Sequence, residues 1–408
     1  MPDKENPMQD TARPITTPED NGISQFPSWP YHGAAEIEAV VQVLRGGQTN
    51  SRSANRGRAF EEAFAEYIHC RYGVAVANGT LALELALMAL GIGCGDEVIV
   101  PCRTFIATAS SVAQMGAKPV VADVDAMSQN ITAASIEKKL TARTRAVIVV
   151  HLAGWPCDMD PILELAERRN LFVIEDCAQA HGAKYKGRPV GSMGSFGAFS
   201  FCHDKIMSLG GEGGMLTTNN KALGTRARSL KDHGKNHELL SSSTQAYPWP
   251  HEVFGSNYRM TEMQAALGCI QLEKLDEWLR IRKRNASILT RHLQDLPCTI
   301  PQPPEEFAHA WYRYYVFPEL SAFRKSWDRD RVLATLNKAG IACNGGSCSE
   351  IQRERAFEIH RDIYETSTPV AHNLGQRSLA FLLHPTLQEH HMELMGREIR
   401  RVLELALK

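Results

Sequence analysis

The sequence has almost no net charge, because 45 Lys and Arg stand against 46 Asp and Glu for a formal balance of −1. That balance removes the long-range attraction expected of a nucleic-acid or anionic-membrane partner, while leaving room for a local basic pocket. No run approaches the roughly 18 apolar residues of a spanning helix, so no membrane partner is expected. The ten cysteines contain no Cys-x-x-Cys pair, so the spacing of a zinc site is missing and no metal is expected. Several of them fall in apolar runs and read as reduced core residues of a cytosolic protein. The polar start of the chain lacks the apolar core of a signal peptide. The expectation is a disordered tail over 1–25 on a cytoplasmic protein. Internal repeats and low-complexity segments are absent as well.

What is present is an alternation of helical and strand patterns from about residue 55. Helical spacing marks 58–68, where Phe60, Ala63, Phe64 and Tyr67 share a face, and a second helix is expected over 80–90. Short apolar runs follow at 97–100, 119–124, 146–151 and 171–175, with helical stretches at 135–140 and 161–169 between them. Runs that are apolar throughout fit strands buried on both faces of a parallel sheet. Their alternation with helices argues for right-handed βα units. Two further β runs, 197–201 and 214–218, precede a long helix over 261–293 whose first part is apolar and whose second part is charged. Pro301, Pro303 and Pro304 then mark a break. The expected organisation is a large domain over 26–285 and a small C-terminal domain over 286–408.

Asp176 ends one of the apolar runs and precedes Cys177-Ala178-Gln179-Ala180-His181-Gly182. A carboxylate at the carboxyl end of a buried parallel strand stands where open α/β sheets bind ligands. A helix N-cap or a buried salt bridge is the other use of such a residue. Lys205 follows Phe199-Ser200-Phe201-Cys202-His203-Asp204 and precedes the glycines of 210–214, which let backbone pass close to a ligand. A lysine that is partly desolvated, with its pKa lowered, forms a Schiff base with an aldehyde. A carboxylate facing a pyridinium nitrogen, together with such a lysine, is what pyridoxal phosphate requires. A third element, Asn78-Gly79-Thr80, opens a helix and offers backbone N–H groups to a phosphate, or simply caps the helix.

With these motifs in this order, the chain resembles the sugar aminotransferases of the DegT/DnrJ/EryC1/StrS family from about Phe26 to its end. The most specific stretches are Val76-Ala77-Asn78-Gly79-Thr80, Asp96-Glu97-Val98-Ile99-Val100-Pro101, 174–182, 199–205 and Gly255-Ser256-Asn257-Tyr258-Arg259-Met260. The resemblance implies a fold-type I architecture, a mostly parallel sheet sandwiched by helices plus a smaller C-terminal α/β domain, with pyridoxal 5′-phosphate as cofactor. It implies that Lys205 carries the cofactor and moves the proton, and that Asp176 pairs with the ring nitrogen. Gln179 would sit by the ring hydroxyl, Phe105 would stack on the ring, and Gly79, Thr80 and Ser200 would hold the phosphate. Asn257 would reach the phosphate of the neighbouring subunit, making a homodimer with shared active sites. Arg259 would either receive the donor carboxylate or brace the interface.

The resemblance also implies the reaction: transfer of an amino group from L-glutamate or L-glutamine to a keto sugar, nucleotide-linked and keto at carbon 3 or 4. The alternatives are amination of a cyclitol or another cyclic ketone, sugar dehydration, and a non-catalytic regulator. Dehydratases of the family carry histidine in place of the lysine; here Lys205 keeps its distance from the Phe-Ser-Phe triplet, and His203 stands two positions too early. Two departures from the family pattern are notable. His203-Asp204 replaces a small or proline-containing pair, with His203 either supporting the site or merely completing a loop. The segment Ala342–Glu350, with Cys343 and Cys348, replaces one rich in histidine and tyrosine, which implies a different acceptor pocket. The tract His309–Tyr315 reads either as a stacking surface for a sugar or base or as an amphipathic strand.

Overall fold

Seven apolar runs form one sheet in the computed structural model, which describes residues 26–50, 55–242, 249–358 and 367–408. The expected tail over 1–25 lies outside the described residues. The strands are β1 (Tyr72–Val76), β2 (Glu97–Pro101), β3 (Lys118–Ala122), β4 (Thr144–Val150) and β5 (Phe172–Asp176). Two two-residue strands follow, β6 (Lys184–Tyr185) and β7 (Arg188–Pro189), and then β8 (Phe196–Ser200) and β9 (Gly214–Thr218) complete the sheet. Its order is β1-β9-β8-β5-β4-β2-β3, parallel throughout except for β9, which runs antiparallel to both neighbours. β2, β8 and β9 are buried along their whole length, as expected of strands covered on both faces by helices.

β1 has no counterpart among the expected strands. Its sequence, Tyr-Gly-Val-Ala-Val, is short and contains a glycine, so it reads locally as a connection; pairing with β9 makes it a strand. From β2 the chain moves outward to β3 and then crosses to the other side of β2 with β4. Connections therefore diverge at the carboxyl edge of β2 and β4, the place where such sheets open a ligand crevice.

The long helix runs over Glu262–Leu293, with Thr261 as its cap: Thr261 Oγ1 accepts from Gln264 N at 3.3 Å and Gln264 Oε1 accepts from Thr261 N at 2.8 Å. Its first half packs Ala265, Leu267 and Leu275 against Phe60, Phe64, Phe199 and Phe201. Its second half packs Ala286, Leu289 and Leu293 against a three-stranded antiparallel sheet of β10 (Cys298–Thr299), β12 (Arg313–Pro318) and β13 (Leu379–Leu382). The last helix, Glu389–Ala406, adds Met392, Met395, Ile399 and Val402 to the same core. The expected division at 285/286 thus falls inside the long helix Glu262–Leu293.

Two expectations need correction. Arg282, read as part of a charged face, is wholly buried; its Nη1 donates to the carbonyl of Leu383, and it lies 5.5 Å from the Trp29 ring. Charge alone misplaced it, because a guanidinium can be buried where backbone carbonyls accept from it. The tract His309–Tyr315 is not one strand. β11 (Phe307–Ala308) pairs with β6, and Trp311 takes a positive φ of 51° that interrupts extended backbone. Residues 310 and 312 instead bond to the parallel-sheet unit, Ala310 N to Gly154 O at 2.8 Å and Tyr312 N to Ala153 O at 2.9 Å, and β12 begins only at Arg313.

Candidate active site

A cavity of about 630 Å³ opens at the carboxyl edge of β4 and β5. Asp176 ends β5 within it, buried, with Oδ1 accepting from Ala178 N at 3.1 Å and Oδ2 accepting from Thr108 Oγ1 at 3.0 Å. Thr108 stands in the first turn of the helix Ala107–Gln114, and its hydroxyl meets that of Thr104 at 2.9 Å. Burial raises Asp176 above the usual carboxylate range in spite of those two donors. A carboxylate in that condition is one that a cationic partner would stabilise.

Behind it, the buried Glu175 accepts from the backbone N–H groups of Gly191 at 2.7 Å, Met193 at 2.8 Å and Gly194 at 2.7 Å. Burial pushes Glu175 upward, but His151 and these donors outweigh it and hold the carboxylate below its ordinary value. His151 Nδ1 accepts from Cys157 N at 2.9 Å, so its proton sits on Nε2, 3.1 Å from Glu175 Oε2. The floor beneath Asp176 is therefore rigid.

The helix Gly79–Leu90 points its N-terminus into the cavity. Asn78 caps it through Leu81 N at 2.9 Å, and its carbonyl takes Ala82 N at 3.2 Å. The N–H groups of Gly79 and Thr80 are left to face an anion. A side chain on Gly79 would come within 2.5 Å of Ser200 Cβ, so glycine is what brings helix and β8 together at this cradle. Phe105 stands 68% exposed in the cavity wall, which is where a planar ring would cover it. Gln179 Oε1 accepts from Ala153 N at 2.8 Å, an orientation that leaves its amide NH₂ as the donating group.

Lys205 is largely buried, with Nζ 3.2 Å from Asp204 Oδ1 and 3.4 Å from the Tyr312 hydroxyl. Burial would lower this amine, but Tyr312 and Asp204 together raise it above the ordinary lysine value. Trp29 Nε1 donates to the Lys205 carbonyl at 2.9 Å and fixes the backbone of the turn. Tyr312 also donates to Asp204 Oδ2.

The cavity thus gathers Gly79, Thr80, Phe105, Asp176, Gln179, Ser200 and Lys205. Three other candidates lie outside its wall. His203 is exposed in the turn before Lys205 and does not line the cavity. Asn257 is exposed and bridges to Asp232. Arg259 is ion-paired with Asp232 and lines a separate cavity with Glu61 and Lys231. A larger cavity of about 1130 Å³, edged by Lys221, Arg228 and Phe254, holds none of the expected site residues.

Sequence reading missed Thr108 and Asp204, while Tyr312 and Arg313 lie in the tract His309–Tyr315, for which a stacking surface and a strand are the two readings. Asp204 stood inside a quoted motif, and spacing gave a hint only for Thr108, one helical turn after Thr104. Tyr312 and Arg313 come from a segment far along the chain, which only the fold brings to the site. The departing segment does face the cavity, through Gly346, Ser347 and Cys348.

An acid at the foot of the cavity, a lysine beside it, an anion cradle and an exposed aromatic ring fit pyridoxal phosphate. They define a transaminase of the pyridoxal-phosphate class. The chain belongs to the DegT/DnrJ/EryC1/StrS aminotransferase family, which matches residues 30–400, and it is a pyridoxal-phosphate-dependent aminotransferase with the fold of those enzymes. It is 44% identical over 284 residues to a GDP-perosamine synthase of Caulobacter vibrioides, covering 69% of this chain and 73% of that protein. It is 40% identical over 349 residues to the UDP-N-acetyl-3-dehydro-alpha-D-glucosamine 3-aminotransferase of Acidithiobacillus ferrooxidans, covering 86% and 89% of the two chains. The crystal structure of an aminotransferase from Psychrobacter cryohalolentis superposes with a TM-score of 0.91 at 46% identity, covering 93% of this chain and 99% of that one.

Proposed function

We propose that this enzyme moves the amino group of L-glutamate or L-glutamine to a keto sugar carried on a nucleotide diphosphate. The observation that carries the reading is the placement of Lys205 and Asp176 in one cavity with the Gly346–Cys348 wall beside them. The acceptor class is supported by the names of the two relatives, which work on GDP- and UDP-linked sugars.

Bound pyridoxal phosphate supplies an aldehyde carbon for the amine and a ring that stores the electron pair. Gly79, Thr80 and Ser200 would hold its phosphate, Phe105 would cover its face, and the Gln179 amide would donate to its hydroxyl. Asp176 keeps the ring nitrogen protonated, which offsets the cost of burying that carboxylate. Lys205 Nζ holds the cofactor, then accepts the proton from the donor's carbon and delivers it on the other side of the reaction. The nitrogen leaves the donor as it becomes a 2-oxoacid, and the keto oxygen of the sugar leaves as water.

Asn257, exposed and outside its own cavity, suits a contact with the cofactor phosphate of a second subunit, so the working form is a homodimer with shared sites. The division into domains over 26–285 and 286–408 is kept as part of this reading. Ten free cysteines suit a reducing compartment, in keeping with a cytoplasmic enzyme. No helix among the described residues is long and apolar enough to cross a membrane.

The test is to offer the holoenzyme GDP- and UDP-linked keto sugars and a free cyclic ketone, each with L-glutamate or L-glutamine, and to follow the products by mass spectrometry. Replacement of the keto oxygen by an amine on a nucleotide sugar is expected. Turnover of the free cyclic ketone alone would overturn the assignment.

A further inference from the structure

Two cations line the cavity among the described residues, Lys205 and Arg313. Lys205 is committed to the cofactor. Arg313 opens β12 and reaches the cavity from the C-terminal unit. Its Nη2 lies 3.4 Å from Asp204 Oδ2 and 3.4 Å from the Tyr312 hydroxyl, and its Nη1 lies 3.3 Å from Asn344 Oδ1. All three contacts sit at the long end of the hydrogen-bond range, so they orient the guanidinium without using its fork geometry on any one partner.

The position is specific. The Tyr312 hydroxyl that touches Arg313 is itself 3.4 Å from Lys205 Nζ, which puts the guanidinium two such contacts from the reacting amine. An amino-acid donor carries a carboxylate on the very carbon whose nitrogen is transferred, so its carboxylate must come to rest close to Lys205. The diphosphate of a nucleotide sugar is attached across the ring from a keto carbon at position 3 or 4 and falls farther away. Arg259, the candidate raised by the sequence, is already paired with Asp232 and does not line this cavity.

We propose that Arg313 receives the α-carboxylate of the amino donor and so selects amino acids over other amines, with Asp204 as the counter-charge that keeps the guanidinium docked while no donor is bound. This rests on the aminotransferase reading above. The substrate carboxylate would take the guanidinium in two parallel hydrogen bonds, a geometry lysine cannot reproduce.

The test compares wild type with Arg313→Ala and Arg313→Lys as holoenzymes. Calorimetry with glutarate, an unreactive dicarboxylate, is expected to show binding to wild type and a roughly 10- to 100-fold weakening in Arg313→Ala. Single-turnover conversion of the cofactor by L-glutamate should fall by a comparable factor, with Arg313→Lys in between. Circular dichroism and the thermal melt of Arg313→Ala should match wild type, which shows that the variant is folded. Wild-type-like glutarate binding and glutamate conversion in Arg313→Ala would overturn the proposal. So would a raised KM for the nucleotide sugar with the donor half-reaction intact. If neither L-glutamate nor L-glutamine converts the wild-type cofactor, the donor assignment fails on its own and the glutarate arm decides for Arg313: loss in Arg313→Ala upholds the carboxylate site, and no binding to wild type overturns it.

Discussion

Thr108 Oγ1 donates to Asp176 Oδ2 at 3.0 Å, from the first turn of the helix that follows β2 to the end of β5. The bond crosses the sheet at the point where its connections diverge. Together with the Ala178 N–H on Oδ1, it fixes the orientation in which the carboxylate faces the cavity.

Thr108→Ala should therefore weaken cofactor binding without dismantling the fold. A hydrogen bond to a charged group contributes about 1.5–3 kcal/mol, so the cofactor dissociation constant should rise roughly tenfold or more. Thr108→Ser keeps the hydroxyl and should restore most of the loss. Titration of the cofactor-free protein with pyridoxal phosphate, followed by absorbance, measures both.

Asp176 carries a stability cost that the cofactor relieves. Because burial raises its folded-state pKa, the group contributes stability below its unfolded pKa, and that contribution is lost as pH rises through the folded pKa. Above that folded pKa the cofactor-free protein thus holds an unfavourable buried charge. Asp176→Asn is expected to melt higher than wild type without cofactor at alkaline pH, with the gap closing as pH falls through the raised pKa of Asp176. The same variant should lose roughly 10²- to 10³-fold in amino transfer. Thermal melts across that pH range, with and without cofactor, check the sign.

Gly346 has a φ of +82°, and a side chain there would overlap the Tyr315 hydroxyl, which accepts from Ser347 N at 2.9 Å. Gly346→Ala should displace the Gly346–Cys348 wall at a cost of about 1–3 kcal/mol. The expected signature is a KM for the keto acceptor raised severalfold, while cofactor conversion by L-glutamate stays near wild type. Separate half-reaction kinetics distinguish that from general unfolding.

The parallel sheet was legible because β2, β4, β5 and β8 are apolar runs whose burial on both faces leaves a plain pattern. Asp176, Lys205 and the Gly79 cradle were legible because each sits at the end of a strand or the start of a helix, in a motif with few local uses. β1 was not, since Gly73 and Ala75 give no strand signal until β9 pairs with them. The tract that holds Tyr312 and Arg313 leaves its two readings, stacking surface or strand, open for a related reason. Their segment looks like any amphipathic strand, and their roles depend on a positive φ at Trp311 and on two backbone bonds to Ala153 and Gly154. Arg282 is the converse case, a residue in the charged second part of the long helix that the fold buries completely.

The central claim is that Lys205 carries the cofactor and moves the proton. The direct measurement is the absorbance of wild type and Lys205→Ala with pyridoxal phosphate, before and after adding L-glutamate or L-glutamine. The account predicts a lysine-bound cofactor band in wild type that the donor converts to the spectrum of the amine form, and neither the band nor catalytic turnover in Lys205→Ala. An unchanged lysine-bound band in Lys205→Ala, with turnover preserved, would contradict it.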